Sequence, residues 1–549
     1  MGYPARPERN TRSGAAAGVP APGTGEVRER GPGKVMSAWE AVRLIGDGVT
    51  VTTSGFFGSV FAEEVAIALE ERFLSEGHPR DLTLFYPAGQ GDFGTRGLNR
   101  FGHEGLLKKV IAGHFGTAPT ICSLVADDKV QAYNLPQGVI CDMFRDIASH
   151  RPRTISFVGL GTFADPRNGG GKLNEVTTED LVEVIEFDGE EFLAYKTFPI
   201  HVAIVRGTTA DVDGNLTMER EALFLEVRAQ AMAAKNSGGI VIVQVERVAE
   251  RGTLNPKHIV VPGILVDAIV VAAPENHVQT FGHDYDPSLS AEIRIPVSVG
   301  PTAQLDERLV MARRAALELR RGNVVNLGMG VPESIALVAA EEGIFDLVTL
   351  TTESGIVGGL PAGAWDFGTG RNPAAIIDQP SQFDFYHGGG LDIGFMGLAE
   401  TDRDGNVNVS RYGPKITGSG GFVDITQCAK SVVFLGTFTT GGLELSFEDG
   451  AVHIVREGRV RKFVEEVEQI TFSGRYAARK GQRVLYVTER CVFELTEVGL
   501  VLLEVAPGVE IERDILPHMA FPPIMEAVPA LMDPRVFRKG PMGLREGFE

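Results

Sequence analysis

At 549 residues the chain is too long for one hydrophobic core and predicts at least two domains. Its 43% hydrophobic content is that of an ordinary globular protein, and its net charge of −20 argues against a nucleic-acid partner, whose phosphates need a basic surface. The charge leaves room for a phosphorylated small molecule, which needs only a local nest of amides or a helix N-terminus. The longest apolar stretch, His258 to Pro274, is broken by Pro262, Gly263 and Asp267, so no transmembrane helix or membrane partner is expected. Four scattered cysteines (Cys122, Cys141, Cys428, Cys491) lack CxxC or metal-ligand spacing and predict reduced thiols in a cytoplasmic protein without a metal.

Residues 1–35 are rich in Pro, Gly, Arg and Ala, cannot bury a core, and read as a disordered tail without a secretory h-region. Order is expected from Ser37, an N-cap with Glu40 at the capping-box position of a helix over Ala38–Ile45. A strand at Val49–Thr53, a tight turn at Ser54–Gly58 and an amphipathic helix over Phe61–Phe73 then form a β-turn-α unit. Leu82–Tyr86, Lys109–Ala112 and Thr154–Val158 continue the strand alternation. Between them, Asn134–Gly138 is a polar turn before a helix running through Ile147. Gly169–Gly171 reads as a loop, Asp188-Gly189 as a hairpin, and Gly282–Ser290 as a polar interlobe stretch.

The pattern then restarts. A helix over Asp306–Arg321, a strand Asn323–Val325, a turn Asn326–Gly330 and a helix from Pro332 to a Gly343 stop lead into a buried strand, Leu347–Leu350. Asp211-Val-Asp213-Gly-Asn215 in the first half matches Asp402-Arg-Asp404-Gly-Asn406 in the second, each followed by Ala-Lys and a valine-rich strand. These DxDGN turns lack the acids of a calcium loop and read as structural turns. The fold class is therefore α/β: two related open lobes, at 36–290 and 306–549, each a mixed or mostly parallel sheet flanked by helices.

Glu353, in Thr351-Thr-Glu353-Ser-Gly355-Ile-Val-Gly358-Gly359, stands just past a buried strand, where α/β proteins bind ligands. It is the candidate nucleophile. The parallel strand before it ends in Gly328-x-Gly330, beside the helix N-terminus at Pro332, so amides there could hold an oxyanion. The same glycines resemble a dinucleotide fingerprint, but Glu333 replaces its third glycine. His387-Gly388-Gly389-Gly390 and Gly418-Ser-Gly420-Gly421 read either as turns needing positive φ or as amides cradling a phosphate or thioester oxygen. His387 reads as a proton shuttle or a hydrogen-bonded structural histidine. Arg411 and Lys415 read as partners of an anionic ligand or as surface charges. No GxSxG, P-loop or metal cluster competes with the carboxylate.

Five further segments carry a resemblance. They are Tyr133–Val139, Gly169–Glu175, Gly238-Gly-Ile-Val, Ser381–Gly390 and Glu504–Val509. With Glu353-Ser-Gly355 they make the chain, from Ser37 to Gly543, resemble family I coenzyme A transferases of the single-chain acetate/propionate type. The resemblance implies a glutamyl-CoA thioester at Glu353, short-chain acyl-CoA and carboxylate substrates, and a homo-oligomer. It implies no cofactor beyond coenzyme A as substrate, and it faces Gln137 toward the acyl group. An acyl-CoA hydrolase on the same site, a nicotinamide oxidoreductase and a non-catalytic acyl-CoA-binding protein are the alternatives.

Overall fold

The computed structural model describes residues 33–296 and 305–548. The expected 1–35 tail lies outside them apart from its last residues. Lys34 already belongs to the folded chain: its carbonyl accepts from Ile269 N at 2.8 Å, and its ammonium donates to Asp213 O and Gly263 O, each at 2.7 Å. The helix that follows, Ala38–Val42, carries the expected capping box, with Ser37 and Glu40 satisfying each other's backbone amides.

The first sheet has seven strands, all parallel, in the order Ala268–Val271, Ile240–Val245, Val202–Arg206, Thr50–Thr53, Leu82–Tyr86, Leu107–Ala112, Gln131–Asn134. Its central strands are buried on both faces, which is why their sequences run apolar without strict alternation. Alternate residues feed two cores: Phe85, Ile111, Ala203 and Val243 on one face, Leu84, Val110, Ile204 and Ile242 on the other. The strand Gln131–Asn134 escapes a hydrophobicity reading because it is short and half polar. The expected Thr154–Val158 strand is Arg153–Ser156, and it joins no parallel sheet. It pairs with the hairpin Val182–Phe187/Glu190–Lys196, whose turn has Asp188 and Gly189 both at positive φ.

The second sheet has ten strands. Its core is parallel, in the order Thr349–Thr351, Val324–Leu327, Ile393–Gly397, Ser431–Leu435, Arg483–Val487. Antiparallel strands flank it on both sides, among them Ile356–Val357 and Cys491–Thr496. The strand before Glu353 is displaced from its expected place. It spans Thr349–Thr351, with Leu350 and Thr351 buried, while Leu347 sits in a short 3-10 turn and is only half-buried. The stretch Gly282–Ser290 is no free connection. Asp286 pairs with Arg371, His283 with Asp366, and Ser288 and Leu289 are fully buried.

The two lobes share a topology. In each, the first strand lies between the second on one side and three later strands in the same order on the other: 50–53 beside 82–86, 202–206, 240–245 and 268–271, against 324–327 beside 349–351, 393–397, 431–435 and 483–487. The DxDGN turns occupy the same place in both. Asp211 accepts from Asp213 N, Asn215 N and Asn215 Nδ2 at 3.0, 2.9 and 2.9 Å. Asp402 accepts from Asp404 N, Asn406 N and Asn406 Nδ2 at 3.0, 3.1 and 3.0 Å. Both aspartates are buried, and no metal is needed to explain them. Asp402→Ala leaves those buried donors without an acceptor, at about 1–3 kcal/mol for an orphaned group. A clear fall in the chemical-denaturation midpoint is expected, and an unchanged midpoint would refute the structural role of the turn.

Candidate active site

Parallel strands end together, so a sheet presents its loops in a row at the carboxyl edge. Here the two carboxyl edges face each other across a cavity of about 220 Å³. The first lobe contributes Phe56 and Phe57 after the 50–53 strand, Gly89 after 82–86, His114 after 107–112 and Gln137 after 131–134. The second contributes Gly328 and Met329 after 324–327, Glu353 after 349–351, and Met396 and Gly397 from the end of 393–397. The segment Thr417–Gly421 closes the cavity.

Glu353 is held at the mouth of a tight turn. Ser354 Oγ donates to Gly368 O at 2.5 Å, and Thr352 Oγ1 lies 2.8 Å from Ser354 Oγ. Gly355 has φ +113°, and a Cβ there would sit 2.1 Å from Ile377 O. The serine and glycine after the glutamate therefore serve the turn rather than the chemistry. Gly421 lies against the Glu353 side chain, since a Cβ on Gly421 would fall 3.2 Å from Glu353 Cγ. Burial pushes the Glu353 carboxyl above the ordinary carboxylate value. Asp424 adds to that shift, and the Asn326 side chain and the residue's own backbone amide oppose it.

The expected oxyanion donors divide on their hydrogen bonds. Gly420 N donates to Gly113 O at 2.7 Å and Gly328 N to Phe395 O at 2.8 Å, so neither amide is free for a ligand. Gly421 N makes no hydrogen bond to the described residues, and it is the amide beside Glu353. Gly328 serves close packing instead, with the position of a Cβ only 3.2 Å from Met396 Sδ and from Phe395 O. Gln137 also lines the cavity, and its Nε2 is buried with no partner among the described residues. The structure does not bring Gly330, Gly388, Gly389 or Lys415 to this cavity. Gly388 and Gly389 terminate the helix Gln379–His387, Gly389 at φ +85°, and Lys415 is exposed on the hairpin Arg411–Tyr412/Lys415–Ile416.

Phe56, Phe57, His114, Asn326 and Asp424 are additions that the sequence reading missed. The signal for the first four was available, because each lies at or just past the end of a strand. His114 makes no side-chain hydrogen bond to the described residues, its Nδ1 is buried without a partner, and burial lowers its pKa to about 4, so the ring is neutral. Asp424 carried no local signal.

His387 proves to be a bridging histidine. Its Nε2 lies 3.0 Å from Asp424 Oδ1 and its Nδ1 3.4 Å from Asp142 Oδ2. Burial alone would lower its pKa, but the two carboxylates outweigh burial and hold it up to about 10. A folded-state pKa above the unfolded value near 6.5 contributes stability that is fully present below about pH 6.5 and is lost as pH rises through about 10. The unfolding midpoint is expected to fall over that window, and His387→Gln to flatten the fall. Equal slopes in the two proteins would contradict the pairing.

The family described as Coenzyme A transferase matches residues 35–272. The caffeate CoA-transferase of Acetobacterium woodii is 49% identical over 510 residues, covering 92% of this chain and 97% of that protein. The acetate CoA-transferase YdiF of Escherichia coli K12 is 44% identical, over 93% of this chain and 96% of that one. The crystal structure of the acyl-CoA transferase YdiF from E. coli O157:H7 in a thioester complex with CoA matches with a TM-score of 0.88 at 43% identity, covering 93% of this chain and 97% of that chain. Likeness of this length and depth, on a fold of two facing α/β lobes, makes the chain a CoA-transferase of the coenzyme A transferase family.

Proposed function

We propose that the enzyme moves CoA from a short-chain monocarboxylic acyl thioester to a carboxylate acceptor through a glutamyl-CoA thioester on Glu353. The observation that carries this reading is that Glu353 is the one charged side chain lining the cavity between the two carboxyl edges, among the described residues. The thioester named in the YdiF complex supports it.

The chemistry follows from the carboxylate. Ionised Glu353 attacks the acyl carbonyl carbon, the C–S bond breaks, and CoA leaves as thiolate, giving an acyl-glutamyl anhydride. The thiolate attacks the glutamyl carbonyl and releases the original acid as its carboxylate, leaving CoA on Glu353. An acceptor carboxylate runs both steps in reverse. One thioester replaces another, so the scheme calls for no cofactor beyond coenzyme A as substrate. The Gly421 amide is the donor we assign to the oxyanion formed at the glutamyl carbon. Loss of one such donor typically costs about 2.7–4 kcal/mol. We place the reaction in the cytoplasm, where the four unpaired cysteines stay reduced.

The cavity also limits the acyl group. Phe56, Phe57, Phe367, Met396 and Val409 give it apolar walls, and neither Lys nor Arg lines it among the described residues. The second carboxylate of a dicarboxylic acyl group would be buried without a counter-ion, a penalty of several kcal/mol. Acetate and caffeate, named in the two relatives, each carry a single carboxylate.

Two tests follow. Incubation with acetyl-CoA in the absence of acceptor should leave a CoA adduct that borohydride reduces at Glu353, and Glu353→Gln should fold yet lose nearly all transfer. A Gln variant that turns over near the wild-type rate without an adduct would refute the mechanism. In an acceptor panel, acetate and propionate should exceed succinate in kcat/KM by more than about 10²-fold, the rate equivalent of a few kcal/mol. Equal use of succinate would refute the apolar-pocket argument.

A further inference from the structure

The three charged residues behind Glu353 come from both lobes. Asp142 lies on the helix Gln137–Ala148 of the first lobe. His387 ends the helix Gln379–His387 and Asp424 lies on the helix Phe422–Cys428, both of the second lobe. His387 bridges the two carboxylates at 3.0 and 3.4 Å. Asp424 is completely buried, and its second oxygen accepts from Gly138 N at 3.1 Å, across the lobe boundary. Gly138 is a glycine for that reason, because a Cβ there would sit 2.5 Å from Asp424 Oδ1.

Each end of this chain of contacts is one residue from a cavity residue or one helical turn from it. Gly138 follows Gln137, whose own amide donates to Gly420 O at 3.2 Å. Asp424 lies one turn into the helix that begins after Gly421, the glycine packed on Glu353. A shift of Asp424 would move Gly421 and Gln137 together. A displacement of 1 Å at a reacting centre can cost about 10²-fold in rate.

We propose that Asp142, His387 and Asp424 form a charged latch across the lobe boundary that positions Gly421 and Gln137 against Glu353. His387 is thus a positioning residue and not the proton shuttle that the sequence left open. The inference rests on Glu353 as the reacting group. The charged and titratable groups facing Asp424 are His387, Asp142 and Glu353, together with Tyr195, Cys141 and Cys428, which burial keeps protonated. Arg145 pairs with Asp142 at 2.5 Å on its outer side. Burial lifts Asp424 above the ordinary value against the pull of His387, so the latch is charged in the pH interval between the two groups.

The test reads the rate of CoA-adduct formation against pH, with KM for acyl-CoA, in the full-length enzyme. His387→Gln should slow adduct formation by roughly 10- to 100-fold, with KM within about threefold. Asp142→Asn removes a carboxylate that keeps His387 protonated, so the alkaline limb of the rate should move toward neutral pH. Asp402→Ala, which lowers stability far from the latch, should change neither. The latch is refuted if His387→Gln and Asp142→Asn form the adduct at the wild-type rate, if they lose it only in proportion to the unfolded fraction, or if the alkaline limb stays in place. Should His387→Gln not fold, Asp142→Asn carries the test, since its side chain is only partly buried. Absence of an adduct in the wild type would count against Glu353 and not against the latch, which the steady-state transfer rates of the same variants would then decide.

Discussion

The segment Thr417–Gly421 belongs to the second lobe by chain, and hydrogen bonds also fasten it to the first. Thr417 O accepts from Phe115 N and Gly116 N at 2.8 and 2.9 Å, Ser419 N donates to Asn134 Oδ1 at 3.0 Å, and Gly420 N donates to Gly113 O at 2.7 Å. These bonds tie the segment to the ends of two neighbouring strands of the first sheet, 107–112 and 131–134. A cavity of about 220 Å³ between two lobes keeps its shape only if the lobes cannot slide, and directional backbone bonds prevent sliding better than apolar contact does. The docking also decides which amide is left for the proposed oxyanion. Gly420 spends its N–H on Gly113, and Gly421, next in the chain, keeps its own free beside Glu353.

Burial has opposite uses on the two sides of the cavity. On the second lobe it raises the Glu353 pKa, which makes the carboxylate more basic and so better suited to the proposed attack, at the cost of a smaller ionised fraction at low pH. Asn326 and the Glu353 backbone amide limit that rise. On the first lobe burial keeps His114 neutral, so the wall opposite the glutamate is polar without carrying charge. A cation there would pair with Glu353 and blunt its attack, and it would also admit a second substrate carboxylate.

Much of this was legible in the sequence, and the reasons are specific. Leu82–Tyr86 reads as a strand because it is buried on both faces and flanked by polar turns. Glu353 stands out because a carboxylate followed by glycines just past a strand is unusual, and it still lies just past the strand although the strand itself is displaced to Thr349–Thr351. What failed was the expectation that the Gly328 and Gly420 amides are free. Whether Gly328, Gly420 or Gly421 offers a free N–H depends on which carbonyl each meets across the fold, and Gly113 lies more than 300 residues from Gly420 in the chain. Asp424 was invisible for the same reason, since its partners His387 and Gly138 come from two other helices.

The shared topology explains how one lobe comes to carry the proposed nucleophile and the other the facing walls. In each lobe the first two parallel strands end at the cavity, and the loops after them are matching positions among those that line it. After the second strand, the second lobe places Glu353, whereas the first lobe reaches the cavity with Gly89 and turns Gln90 inward to bond Thr53. After the first strand, the second lobe has the small turn Gly328-Met329, and the first lobe has Phe56-Phe57, whose rings meet Phe367 from across the boundary in a tilted and an edge-to-face contact. Two carboxylates at matching positions would repel each other in a narrow apolar cavity and raise each other's pKa. A duplicated fold that meets edge to edge must therefore differ at these loops, keeping the charged one in a single lobe and filling its counterpart with small or apolar residues.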